Sequence, residues 1–457
     1  MGRLEIYKEK SVLKSLIKFS IPIMLSYLIA ELYGMADSLF VGNFVSDKAL
    51  ASLSIVYPIQ KILIAMGVMF GVGFATQVSK ANGSGDEESI KKSLVSGLYS
   101  SLLIMLLTVI FLFLFKEKIL YSVGATRELI VEAKAYFNFI IIGAIFINTG
   151  AFISHVLLSF GNSRVSLFAN LIGCVINVIL DYILIVKLNY GVTGAGFATM
   201  VSQVVAFIYA FSLFRKFTKE NKISLKARIN IRLVAAAIAI GVSAFAVESV
   251  DGVVTAVLNV LASAAGGEKA ISILGISLRI YMFLFLANFA VAAAMQPMAS
   301  YSYGAGNHER LRDVVRKSIF LSTLVQVISL IICMIYAREL VSLFTSSQAL
   351  ILETEKAFKY MIIAVPASSV YYISIFYFQA LGRVKTSLFL SVFRHIFIML
   401  PLSLILVKVF NMGLLGVWIS YPISDIVAGL FSIYLLKGER EDLEEMEEEL
   451  AEKAYAA

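Results

Sequence analysis

Apolar runs of about 20 or more residues recur along almost the whole of this 457-residue chain, separated by short polar connections. Each run is long enough to cross roughly 30 Å of hydrocarbon as a helix. A backbone in hydrocarbon must satisfy its own hydrogen bonds, which leaves only helices or a closed barrel. The period-two alternation of a barrel is absent, so the runs are expected to be helical spans. Hydrophobic residues make up 59% and charged residues 15% of the chain, and the mean hydropathy is +0.87. That balance excludes a soluble globular domain. The run after the basic N-terminal segment continues past signal-peptide length without a small-residue cleavage site, and is read as a retained first span. Cys174 and Cys333 both fall inside apolar runs and imply neither a disulfide framework nor a cysteine-based metal site.

Turn signals and charges divide the chain into about twelve spans. The expected organisation is a cytoplasmic N-terminus (1–13), a first lobe of six spans (14–215), a basic linker (216–231), a second lobe of six spans (232–436) and an acidic tail (437–457). The two halves also match in sequence. Gly83 and Gly304, Gly85 and Gly306, Glu132 and Glu353, Phe137 and Phe358, and Gly161 and Gly382 all lie 221 residues apart, as do Ser166-Leu167-Phe168 and Ser387-Leu388-Phe389. An even number of spans per half gives both halves the same orientation, related by a pseudo-two-fold axis along the membrane normal. The fold expected is therefore an all-α membrane protein of two six-helix lobes, and such duplications build transport pathways.

The linker carries Arg215, Lys216, Lys219, Lys222, Lys226, Arg228 and Arg232 against a single acid, Glu220, which makes it cytoplasmic by the positive-inside rule. Counting outward places both termini on the same side, with the connections around His308 to Lys317 and Arg383 to Lys385. The opposite loops are poor in basic residues, with Lys116, Lys118 and Arg127 the main exception. The net charge of +8 is thus a topology signal and not a nucleic-acid footprint. The Glu-rich tail reads as a solvated cytoplasmic helix.

A carboxylate at mid-span costs about 2.5 to 3.5 kcal/mol even on the lenient insertion scale, so acids there are functional candidates. They are Glu31, Asp37 and Asp181 in the first half and Glu248, Asp251 and Asp425 in the second; the basic or titratable exceptions are Lys61, His155, Arg279, Arg394 and His395. Asp37, Asp181 and Thr199 each lie about 10 Å below the extracellular end of their spans, at about 1.5 Å per residue. Asn177 precedes Asp181 by one turn and shares its face. Two carboxylates, an amide oxygen and a hydroxyl at one depth make an oxygen site for a hard monovalent cation or for a proton carried by the paired carboxylates. At the offset of 221 these positions correspond to Leu258, Ile398, Leu402 and Ser420, so the site is expected in the first lobe alone. Glu248 and Asp251, on one face and deeper, form a separate acidic pair suited to a cationic substrate or to a salt bridge with Arg279 or Arg394.

The run Leu32-Tyr33-Gly34-Met35-Ala36-Asp37-Ser38-Leu39-Phe40-Val41-Gly42 resembles the first-span signature of the multidrug and toxic compound extrusion (MATE) family. Asn177-Val178-Ile179-Leu180-Asp181 resembles its fifth span. Met295-Gln296-Pro297-Met298-Ala299-Ser300-Tyr301-Ser302-Tyr303-Gly304-Ala305-Gly306-Asn307, followed by Arg310 and Arg312, is similar to its eighth. The resemblance runs from about residue 15 to 436 and is nearest the DinF-like and related bacterial multidrug branches, because the tenth span around Tyr371 and Tyr372 lacks an acid. Glu248 resembles the seventh-span acid of other branches. A proline common in the seventh span near Ser243 is absent here, whereas Pro22 is retained.

The resemblance implies a fold of the MATE type within the wider MOP superfamily. It also implies a multi-pass protein of the plasma (inner) membrane that exports organic cations and amphipathic compounds by antiport against Na+ or H+. Asp37, Asn177, Asp181 and Thr199 match the family's first-lobe cation site. Glu31, Tyr33, Glu248 and Asp251 are the substrate candidates, and Pro22 is the expected hinge of the first span. No enzyme activity and no cofactor beyond the coupling ion are expected; His155, His308 and His395 are too scattered for a metal site. The expected partners are small cationic or amphipathic molecules and the bilayer, not nucleic acid, and the protein is taken as a monomer. The alternative within the same architecture is a flippase for lipid-linked oligosaccharides, which needs basic residues in its cavity; Lys61, Arg279 and Arg394 are the deep ones.

Overall fold

A computed structural model describes Glu9, residues 11–226 and residues 228–456, without the side chains of residues 47, 251, 268, 446, 447 and 449–456. The basic N-terminal residues Arg3, Lys8 and Lys10, which contribute to the expected placing of the N-terminus on the cytoplasmic side, lie outside the described residues, as does the side chain of Asp251. The described chain is helical throughout. The helices are α1 (Val12–Phe44), α2 (Asp47–Ser84), α3 (Glu87–Ser122), α4 (Ile130–Ser159), α5 (Arg164–Lys187), α6 (Gly191–Glu220) and α7 (Ile231–Gly267). They continue with α8 (Lys269–Gly304), α9 (His308–Ile335), α10 (Ala337–Ser342), α11 (Gln348–Ile362), α12 (Val365–Leu381), α13 (Val384–Lys408) and α14 (Leu414–Ala456). Eleven of them are long and apolar enough to cross a membrane, and α11 with α12 supplies a twelfth span, bent by 50°. The bend is a departure from the unbroken tenth span read from the sequence. Pro366 has no amide hydrogen and its ring crowds the carbonyl four residues back, which ends α11 at Ile362.

The duplication is visible as backbone geometry. Gly85 and Gly306 close their helices with φ of 75° and 66°, and Gly161 and Gly382 with 85° and 71°. Only glycine takes that left-handed conformation freely, so these two glycine pairs at 221 are turn positions, while the other pairs lie within helices. Beyond them the register changes. Left-handed Asn189 and Gly191 recur as Asn411 and Gly413, 222 residues on. The Gly194 and Leu184 contact recurs as Gly416 and Leu406, and the Ser202 hydroxyl donating to the Thr199 carbonyl recurs as Ser424 donating to Tyr421. The second half therefore holds one extra residue inside its fifth span, and the π-helical turn Phe393–Met399 of α13 absorbs it. The expected counterparts are corrected accordingly: Asp181 matches Ser403, not Leu402, and Thr199 matches Tyr421, not Ser420.

Two compact units emerge. In the first, Ile17–Ser249, α4 packs between α2, α3 and α6. One apolar cluster joins Val41, Leu53, Met105, Phe137 and Ile185, and another joins Phe74, Leu94, Phe152, Phe214 and Ala237. This unit runs past the basic linker into α7. Gln77 donates to the Leu233 carbonyl at 2.9 Å, the Asn230 amide donates to Ser96 at 2.9 Å, and Val234 and Ala237 enter the second cluster. In the other unit, Val12–Leu16 with Val250–Ala457, α12 packs against α9 and α14. The tail is helical and largely exposed over residues 437–445. It continues α14, buries Leu443 and Glu439, and pairs Glu439 with Arg383 and Glu444 with Arg312. At the turn between α2 and α3, Asp86 caps α3 by accepting from the Ser89 amide and hydroxyl, and those bonds hold its carboxyl below the usual carboxylate range.

Candidate cation site

Four helices of the first unit bring the site together. Asp37 lies in the C-terminal part of α1, Asn177 and Asp181 one turn apart in the C-terminal part of α5, and Thr199 in the N-terminal part of α6. The helices are held in this register by polar contacts nearby: Ser26 and Ser166 hydroxyls are 2.7 Å apart, and Asn170 donates to the Ser26 carbonyl and hydroxyl. Directly after Asp181 the helix widens into a π turn, Tyr182–Lys187, a distortion that recurs at functional positions.

All four expected residues converge, and all are buried. Thr199 donates to Asp37 Oδ2 at 2.5 Å and Asn177 Nδ2 to Oδ1 at 3.0 Å. A third donor comes from α4, where the Tyr136 hydroxyl reaches Oδ2 at 2.6 Å. Tyr136 was not read from the sequence as a site residue. A signal was there: its counterpart 221 residues on is Ala357, the same loss of a polar group between halves that marked Asp37. Asp37 is thus a carboxylate held by three neutral donors. Asp181 is the opposite case. Neither of its oxygens receives a hydrogen bond from the protein, nor does Asn177 Oδ1, and Asp37 is close enough for the two carboxyl groups to share a proton. Three buried acceptor oxygens without a donor from the protein, two of them on a carboxylate, form an oxygen-lined group with the chemistry to accept a cation, a proton or water.

The substrate candidates are placed differently. Tyr33 adjoins the cation site, its hydroxyl 2.8 Å from Ser202 Oγ and 3.3 Å from the Thr199 carbonyl. Glu31 faces Lys61 at 3.8 Å, and Lys61 Nζ lies 5.6 Å from the Tyr57 ring. Glu248 acts electrostatically on both Lys61 and Tyr27. Glu31, Lys61 and Glu248 therefore form one half-exposed charged group with an excess of one carboxylate, and the sequence reading had not joined Lys61 to it. Arg279 is exposed, and Arg394 pairs with Asp425. Pro22 sits inside α1, which stays helical on both sides of it.

The MatE family pattern matches residues 22–183 and 249–405. The chain belongs to the MatE family. It is a transporter and not an enzyme, and its all-helical fold is the one that family has. Among its relatives, the multidrug export protein MepA of Staphylococcus aureus strain MRSA252 is 26% identical over 436 residues, covering 94% of this chain and 96% of MepA. The MepA of Staphylococcus saprophyticus is 23% identical over 435 residues, covering 94% and 95%. Among solved structures, a MATE protein in the bent conformation aligns with a TM-score of 0.90 at 22% identity over 98% of this chain and 99% of its own. An outward-facing multidrug resistance MATE family transporter of the MOP superfamily aligns at 0.89, with 23% identity over 97% and 99%.

Within that frame Tyr136 gives a specific expectation. Tyr136→Phe removes one of three donors from Asp37 without changing the packing, and a hydrogen bond to a charged group is worth about 1.5 to 3 kcal/mol. The cation concentration giving half-maximal transport is expected to shift by roughly tenfold or more, with folding intact. An unchanged half-maximal concentration counts against a role for Tyr136.

Proposed function

We propose that this MATE-family transporter is a secondary active multidrug exporter that moves organic cations and amphipathic compounds out of the cell in exchange for Na+ or H+. The site of Asp37, Asn177, Asp181 and Thr199, completed by Tyr136, is where the coupling ion binds. The observation that carries the reading is the buried Asp181 carboxylate with no donor from the protein, next to a second carboxylate. The names of the MepA relatives support export of drugs.

The cycle follows from competition for charge. An ion or proton that neutralises the Asp37 and Asp181 pair removes the field that favours a cationic drug, and its departure restores that field. The Glu31, Lys61 and Glu248 group, with Tyr33 and Asp251, is the part assigned to the substrate, and Pro22 is the hinge about which α1 bends as Asp37 changes occupancy. Pro22 suits that role because it leaves the Lys18 carbonyl without its helical donor. The protein works as a monomer of two lobes, 14–215 and 232–436, in the plasma membrane with both termini cytoplasmic. The flippase reading loses support: Lys61 faces Glu31 and Arg394 faces Asp425, so neither is a free anchor for a pyrophosphate.

The test is ethidium counterflow in proteoliposomes under an imposed sodium gradient and, separately, an imposed pH gradient. Transport driven by one of them names the ion. Absence of transport of any cation under both overturns the proposal.

A further inference from the structure

The second unit has a charged cluster that the transport scheme above does not use. Arg394 of α13 and Asp425 of α14 are 2% and 0% exposed, with Arg394 Nε donating to Asp425 Oδ1 at 2.6 Å. The remaining guanidinium nitrogens are also engaged. Nη2 donates to the Tyr281 hydroxyl of α8 at 2.8 Å, and Nη1 lies 2.7 Å from His395 Nε2, which acts there as acceptor. Tyr281 in turn reaches Asp425 Oδ2 at 3.5 Å and packs edge-on against Tyr421 with ring centroids 5.4 Å apart. Three helices are tied at mid-span by one guanidinium.

Its place in the repeat gives the cluster a meaning. In the corrected register Tyr421 is the counterpart of Thr199, and Asp425, one turn further along α14, is the counterpart of Gln203. Arg394, inside the π turn where the register changes, falls opposite Ile172 or Gly173, neither of which has a polar side chain to offer. The first unit brings a buried carboxylate to its sixth span from another helix, Asp37 of α1 meeting Thr199 of α6, whereas in the second unit the sixth span carries the carboxylate itself, Asp425. In the first unit a carboxylate, Asp181, faces no donor; in the second, every partner of Asp425 is supplied by the chain.

We propose that Arg394 is a tethered cation. Its guanidinium permanently fills a carboxylate site at Asp425 that would otherwise take an external monovalent cation, so ion exchange is confined to the first unit and α8, α13 and α14 stay one block while the ion comes and goes. The second clause rests on the cation-site reading given above; the first does not. Arg394 is a positioning residue, acting through Asp425 and Tyr281 without touching the transported ion. A buried ion pair is often replaceable by apolar groups, whereas removing one partner leaves an uncompensated charge. That asymmetry makes the proposal testable by rescue.

The experiment measures the thermal unfolding midpoint of the purified full-length protein with millimolar sodium chloride, guanidinium chloride or choline chloride. In an Asp37→Asn/Asp181→Asn background with Arg394 intact, no salt is expected to raise the midpoint above the choline value. Adding Arg394→Ala should lower the midpoint and create a rise with guanidinium or sodium that choline does not give, and adding Asp425→Asn should abolish that rise. Arg394→Leu/Asp425→Leu is the folded reference. A sodium-dependent rise in the Asp37→Asn/Asp181→Asn protein that Asp425→Asn removes overturns the proposal, since Asp425 then exchanges ions beside an intact Arg394. So does Arg394→Ala that no cation restores while the double leucine variant folds. A wild-type protein responding to neither sodium nor pH contradicts the cation-site reading alone, and the rescue by guanidinium is read independently of it.

Discussion

Asp37→Asn is expected to abolish ion-coupled efflux while leaving the protein folded in the membrane. The substitution keeps the shape and both polar positions of the side chain, so the Tyr136 hydroxyl at 2.6 Å and the Thr199 hydroxyl at 2.5 Å retain an oxygen to donate to. What is lost is the charge, together with the Oδ1 acceptor of Asn177 Nδ2, which then faces an NH2 group. Hydrogen bonds to a charged group are worth about 1.5 to 3 kcal/mol and to a neutral one about 0.5 to 1.5, and the cation also loses a direct Coulombic partner. Asp181 remains, with both oxygens lacking a protein donor, but a single carboxylate has no neighbour with which to share a proton. Cation affinity should fall by at least roughly tenfold, which is about 1.4 kcal/mol, and counterflow should fall to the level of protein-free liposomes. Because Asn removes an unfavourable buried charge, the thermal midpoint should hold or rise. Loss of transport together with loss of folded protein would assign Asp37 a structural role, and full drug resistance in cells carrying the variant would remove it from the coupling scheme.

How far such a site could be read from sequence depends on the kind of constraint behind each residue. Asp37, Asn177, Asp181 and Thr199 were legible because a carboxylate in hydrocarbon is expensive and depth along a helix is simple arithmetic. Tyr136 was missed, since a tyrosine in a span costs little and 21 of them are spread through the chain; the change to Ala357 in the other half was a weak sign that acquires meaning only from its position on α4 against Asp37. Lys61 was seen as a charge out of place, but its partner Glu31 lies on another helix and pairing across helices has no sequence period. The spans were legible as lengths of apolar chain, and the break at Pro366 was marked by a residue whose effect on the preceding helix is steric and local. The single inserted residue of the second half was hidden for a physical reason. A π turn absorbs one residue without interrupting the apolar run, so hydropathy stays continuous while every side chain beyond Met399 turns by one position, and only backbone repeats such as Asn189 with Asn411 and Gly191 with Gly413 reveal it. The same correction places Tyr421 opposite Thr199, so the second unit has an aromatic ring where the first has the hydroxyl that donates to Asp37.

Gly73→Leu and Gly241→Leu are each expected to prevent a properly packed first unit, although neither residue lies near the cation site. Between α2 and α7 the two backbones touch: a Cβ on Gly73 would stand 2.0 Å from the Ala237 carbonyl oxygen, and one on Gly241 would stand 2.0 Å from that of Met69. Favourable non-bonded contacts lie near 3.5 to 4.0 Å, and neither obstacle is a side chain that can rotate away, so the helices must separate by more than about 1 Å even for alanine. In a bilayer there is no hydrophobic drive to bring them back, because lipid is as apolar as leucine; close packing of small residues is itself the attraction. Separation also stretches the Gln77 bond to the Leu233 carbonyl, now 2.9 Å, and draws Val234 and Ala237 out of their cluster with Phe74 and Phe152. Glycine content alone does not make this prediction. Gly34 and Gly275 have nothing within 4 Å of an added Cβ, and alanine there should be neutral or stabilising by up to about 1 kcal/mol through helix propensity. The measurement is monodispersity and thermal midpoint of Gly73→Ala, Gly73→Leu, Gly241→Ala and Gly241→Leu beside Gly34→Ala and Gly275→Ala. Graded losses in the first four, larger for leucine, with the last two unchanged or raised, are the expected outcome; leucine tolerated at either crossing position means that α2 and α7 do not depend on this contact, and the extent of the first unit would then have to rest on its polar links to α7 alone.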